Sequence, residues 1–71
     1  MSAIQPIANK IRLYRNTNAL SQQEFATQCG ISISYLSQIE NETANPSLSL
    51  LEKISSVIGT TVGELTTPES W

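Results

Sequence analysis

Leu20-Ser21-Gln22-Gln23-Glu24-Phe25-Ala26-Thr27-Gln28-Cys29-Gly30-Ile31-Ser32-Ile33-Ser34-Tyr35-Leu36-Ser37-Gln38-Ile39-Glu40-Asn41 holds two helix starts and one helix stop in close succession. Ser21 and Glu24 stand at the spacing where a serine hydroxyl and a glutamate carboxylate each satisfy a backbone N–H orphaned at a helix start, so a helix opens at about Gln22. Gly30 stops it after Cys29, because glycine accepts the left-handed backbone that ends a helix. Ile31 follows as an apolar anchor, and Ser32 caps a further helix running to about Glu40 or Asn41. Two short helices joined this tightly must cross steeply. On a wheel of about 100° per residue, Leu36 and Ile39 share one side of the second of them, Ser34, Ser37, Gln38 and Asn41 share the other, and Glu40 lies nearer the buried flank. The outward face is small and polar. Such a face suits the major groove of DNA, where serine and glutamine exchange hydrogen bonds with base edges and bulky residues would hold the helix away.

Working outward, Ile4, Ile7, Ile11 and Tyr14 recur at three- and four-residue steps behind Pro6, which predicts a first helix from about Pro6 to Thr17. Asn16-Thr17-Asn18 breaks it. Beyond Asn41 the chain reads as a loop to Pro46, and Ser47 caps a fourth helix whose apolar positions Leu48, Leu51, Ile54 and Ile58 keep helical spacing until Gly59. Thr61-Val62-Gly63-Glu64 repeats the capping-box pattern and predicts a brief fifth helix holding Val62 and Leu65. From Thr66 onward the residues are a polar tail. The fold class expected is all-α, with five helices in one domain over residues 1–71, a core region 6–66 and a tail 67–71. Phe25, Ala26, Leu36, Ile39, Leu51, Ile54 and Ile58 are read as core, with Cys29 as a small buried hydrophobe.

Composition narrows the function. A chain of 71 residues with 39% hydrophobic content builds one domain with a small, marginal core. No apolar run reaches membrane-spanning length and no signal peptide precedes the domain, so an intracellular, cytoplasmic protein is expected. One cysteine, no histidine and no aspartate remove the usual zinc sites and Ser-His-Asp triads, and the six glutamates, the only side-chain carboxylates, are too scattered to suggest a dyad. Neither catalysis, metal nor cofactor is expected. The charge balance runs the other way from a nucleic-acid binder: Lys10, Arg12, Arg15 and Lys53 are outnumbered by glutamates, for a net charge of −2.

From Ile7 to Leu65 the sequence resembles the phage repressor and Cro-like helix-turn-helix family, also called XRE. The matching segments are Leu20 to Ala26, Cys29 to Ser32, Ser34 to Glu40, and Asn45-Pro46-Ser47-Leu48, in that order along the chain. The resemblance implies a lambda-repressor-like domain and a sequence-specific, DNA-binding transcriptional regulator, of repressor or controller type, whose third helix reads a palindromic operator. It implies a phosphate contact at Gln22, a recognition-helix start and outward face at Ile33, Ser34, Ser37 and Gln38, and a second phosphate contact at Asn41. It also implies that Arg15 pairs with Glu40 as a structural ion pair. Family dimers are commonly built with the last helices. Leu50 and Val57 lie on a strip offset from the core side of the fourth helix, and with Val62 and Leu65 they are the expected homodimer surface, with Trp71 as a tail anchor.

The sequence departs from the family after its recognition helix, where relatives carry basic residues or glycine and this chain has Asn41, Glu42, Thr43 and Ala44. Ile33 likewise stands where a basic residue is common, and contact with a thymine methyl and packing against the turn both remain open for it. Tyr35 is open between packing and a phosphate hydrogen bond. Helix N-termini, with Lys10 and Arg12, are expected to supply the attraction to phosphate. Two other functions fit the same residues: a module binding a protein partner, of antitoxin or anti-repressor type, favoured by the net charge and Glu42, or the DNA-reading piece of a longer regulator.

Overall fold

The computed structural model describes residues 5–67, which form α1 (Gln5–Thr17), α2 (Gln22–Cys29), α3 (Ile33–Glu40), α4 (Leu48–Ile58) and α5 (Val62–Thr66). Ile4 and the proposed anchor Trp71 lie outside the described residues. The helix starts follow from local hydrogen bonds. Ser21, Ser32, Ser47 and Thr61 stand in extended conformation, and their side-chain oxygens accept from the N–H groups of Glu24, Tyr35, Leu50 and Glu64 at 3.0, 3.1, 3.2 and 3.1 Å. Each such cap stabilises its helix by about 1 kcal/mol. At α2 the box is reciprocal, with the Ser21 N–H donating to Glu24 Oε1 at 2.9 Å. Those bonds favour the ionised carboxylate and hold Glu24 below its ordinary pKa. At α5 only half of the expected box forms, because the Glu64 carboxylate accepts instead from the Thr60 hydroxyl at 2.9 Å.

The ends of α1 to α4 share one device. After α2 the N–H groups of Gly30 and Ile31 donate back to Thr27 and Ala26, and after α4 those of Gly59 and Thr60 both donate to Ser55. The turning glycines have φ of 70° and 89°. The same wrap ends α1, where Leu20 N–H reaches Arg15 O at 2.8 Å, and α3, where Thr43 N–H reaches Gln38 O at 2.9 Å. There the left-handed residues are Ala19, at φ 54°, and Glu42, at φ 63°. A side chain with a Cβ in this region costs about 1 kcal/mol or more, so both ends form against a local penalty.

Ile7, Ile11, Phe25, Ala26, Cys29, Leu36, Ile39, Leu50, Ile54 and Leu65 close around one another as the core. Tyr14 meets the edge of Phe25 with ring centroids 5.8 Å apart. α3 packs on α1 and α2, and α5 on α1 and α4. Two expected dimer residues are therefore corrected: Leu50 and Leu65 are buried within the chain and present no surface to a partner. Leu51 and Ile58, read as core, are half-buried and pack against its edge. Leu50 and Leu51 are both in helical register with Ile54. The positions of α2 and α5 select Leu50. Val57 and Val62 stay half-exposed.

Replacing Glu42 or Ala19 by glycine removes the Cβ penalty, and each variant is expected to gain roughly 0.5–1 kcal/mol in urea unfolding. Burial pushes the Cys29 thiol up to about 11, with Lys53 opposing the shift. The native thiol therefore keeps its proton where the unfolded one loses it. The contribution is undiminished below about pH 8.5, and stability should fall as pH rises from there toward 11, a decline absent in Cys29→Ala.

Candidate nucleic-acid interface

The site is built on α3 and the elements that hold it. Ser34, Gln38 and Asn41 are exposed, Ser37 is half-buried, and the Asn41 amide donates to Ser37 Oγ at 3.5 Å. Ile33 is 41% exposed at the start of the helix, so its side chain is open to contact and is not closed under the turn. Tyr35 is half-buried, with its hydroxyl donating to Asn45 O at 3.4 Å, which ties it to the following loop. Thr43 binds the Gln38 carbonyl through both its N–H, at 2.9 Å, and its hydroxyl, at 3.2 Å. The loop after α3 is thus folded back along the helix, and the polar face stays clear of the core.

Beneath this face sits a carboxylate with several donors. Glu40 is almost wholly buried, with 4% of its side chain exposed against 16% for Arg15. Arg15 grips it with two parallel bonds, Nε to Oε2 and Nη2 to Oε1, both at 2.8 Å. The third nitrogen of Arg15 donates to the Leu20 carbonyl at 3.1 Å, tying in the turn between α1 and α2. Gln22, at the start of α2, adds a long amide bond to Glu40 Oε1 at 3.4 Å. The fork geometry of guanidinium on carboxylate gives direction as well as attraction, and it sets how α3 lies on α1.

Two cations expected at the DNA face are bonded to backbone carbonyls of the domain. Arg12, 40% exposed, donates to the backbone carbonyl of Glu40 and holds its Nε 3.8 Å from that residue's carboxylate. Lys10 donates to the carbonyls of Glu64 and Thr67, closing the end of α5. Both partners come from distant segments, and no local pattern in the sequence announces them. The side chains of the polar face itself, Ser34, Ser37, Gln38 and Asn41, are neutral hydroxyls and amides. Among the described residues, no group of three or more Cys or Glu side chains could hold a metal ion.

Comparison with known proteins agrees with this geometry. The helix-turn-helix family profile matches residues 11–65. The chain is 45% identical over 58 residues to the control protein C.MunI of a Mycoplasma species, covering 80% of this chain and 78% of the relative. It is 42% identical over 60 residues to the transcriptional regulator SinR of Bacillus subtilis, covering 83% of this chain and 54% of the relative. The crystal structure of SinR in complex with DNA superposes with a TM-score of 0.73 at 40% identity, over 83% of this chain and 95% of that one. A hypothetical transcription factor from Neisseria superposes with a TM-score of 0.84 at 33% identity, over 94% of this chain and 77% of that one. Against several curated relatives the chain spans little more than half their length, 58% of the Neisseria protein and 54% of SinR.

Removing the Glu40 carboxylate strands Arg15, and breaking a buried pair in this way costs about 3–5 kcal/mol. Glu40→Ala should therefore be largely unfolded in a domain of this size, with lost helical circular dichroism and no transition left in urea. A fully folded variant would show that the pair does not hold α3.

Proposed function

Because this chain belongs to the phage repressor and Cro-like, XRE-type helix-turn-helix family, we propose that it is a sequence-specific DNA-binding regulator of transcription that inserts α3 into the major groove. The observation that carries this reading is the open polar face of Ser34, Ser37 and Gln38, supported from behind by the Arg15–Glu40 pair. Serine hydroxyls and the glutamine amide both donate and accept, and a glutamine amide can bond an adenine edge through two atoms at once. Ile33, exposed at the entry of the helix, is suited to a thymine methyl. Gln22 and Asn41 bracket the face and meet phosphates, together with the free N–H groups at the starts of α2 and α4.

We further propose a cytoplasmic homodimer. Val57 and Val62 are the half-exposed residues remaining from the expected interface. Two copies would address half-sites of a palindrome about 34 Å apart. That SinR has been crystallised with DNA supports duplex DNA as the ligand class. A second reading has one observation in its favour: with Lys10, Arg12 and Arg15 all engaged inside the domain, the face has little charge for phosphate and could receive a protein instead.

Selection of bound duplexes from a random pool separates the two. A preferred sequence is expected, and Gln38→Ala should relax one position of it by about 1–3 kcal/mol while leaving folding intact. Failure to enrich any sequence at low salt would favour the protein partner. With few cations at the face, roughly two per protomer at most, the slope of log affinity on log salt for the dimer should be shallower than about −4. A steeper slope would show that other surfaces touch DNA.

A further inference from the structure

Glu42 is a charged residue immediately after the helix that carries the polar face, and three features mark its setting. It is exposed, it follows Asn41 at the end of α3, and its backbone is left-handed at φ 63°, a conformation natural to glycine. The loop that carries it is pinned. Glu42 N–H donates to Ile39 O at 3.1 Å, Thr43 makes two bonds to Gln38 O, and Asn45 O holds the Tyr35 hydroxyl. The backbone of Glu42 is therefore held immediately after Asn41, with its side chain exposed. Arg12 is bonded to the Glu40 carbonyl two residues earlier, Arg15 to the Glu40 carboxylate and Lys10 to the end of α5, and among the described residues no salt bridge is made to Glu42. Lys53 lies six residues beyond the Ser47 cap, about 9 Å along α4.

We propose that Glu42 limits affinity for DNA: its carboxylate repels the phosphate that Asn41 meets, so that binding rests on the base contacts of α3. This deepens the proposed function and rests on α3 being the DNA-reading helix. Non-specific binding is almost wholly electrostatic, and an exposed anion beside a face whose neighbouring cations are bonded within the domain suppresses it. A fixed anion beside a phosphate opposes binding by an amount that depends on screening, so its removal acts most strongly at low salt.

Filter binding or anisotropy with the full chain tests this, using the duplex selected for the wild type and a random duplex across a salt series. Glu42→Gln removes the charge and leaves the backbone penalty in place, so folding stability should not change. It is expected to tighten binding to both duplexes about three- to tenfold per dimer at low salt, the gain fading as salt rises through the screening range. Glu52→Gln, an equal change in net charge at an exposed position of α4, is expected to leave affinity unchanged. Equal gains from both variants, or none from Glu42→Gln, would overturn the role of Glu42 while α3 still read sequence. A wild-type chain that binds neither duplex would overturn the DNA-reading function itself, and the role of Glu42 with it.

Discussion

The rest of the structure depends on a buried carboxylate. Glu40 stands at the end of α3 with its charge taken out of water, which is tolerable only where strong donors meet it. Arg15 on α1 supplies two of them and extends a third bond to the turn before α2, and Gln22 closes from the start of α2. Three helices are thereby referred to one group. Apolar packing alone allows a short helix some latitude in its seating, but a two-bonded guanidinium does not. The angle at which α3 presents Ser34, Ser37 and Gln38 is set from behind the face that uses it.

The same arrangement explains the charge balance. Net charge −2 is unusual for the proposed DNA-reading role, and the structure makes it more so by turning three of four cations inward or toward helix ends. The polar face offers neutral groups and the partial positive charge of helix N-termini. Recognition of this kind depends on fit against base edges more than on attraction to the backbone. Rigid support of α3 is then a requirement of the proposed function, since neutral hydrogen bonds tolerate little misplacement.

Much of this was legible in the residues. The capping serines and Thr61, with Gly30 and Gly59, mark four helix starts and two helix ends, because each mark is a bond closed within a few residues of itself. The outward set Ser34, Ser37 and Gln38 follows from helical spacing once the helix is placed, with Ser34 and Gln38 exposed and Ser37 half-buried. The Arg15–Glu40 pair was implied by family resemblance, with the wheel position of Glu40 in support. Ala19 and Glu42 were not legible as turning residues, since alanine and glutamate have no preference for the left-handed conformation they adopt. The expected roles of Leu50 and Leu65 in a dimer also failed, each being needed inside the chain.

Local sequence, then, settles that the described residues form five helices, about where these begin, and which side of α3 is polar. Caps, glycines and periodicity act over a turn or two, and neighbouring residues alone decide them. Tertiary structure decided which of Leu50 and Leu51 faces inward, where Arg12 and Lys10 spend their charge, and which residues must bend backward to let the helices meet. These depend on partners 28 residues away for Arg12 and 54 for Lys10. A contact at that range exists only after the chain has folded, because it is the packing of the helices that brings its two ends together.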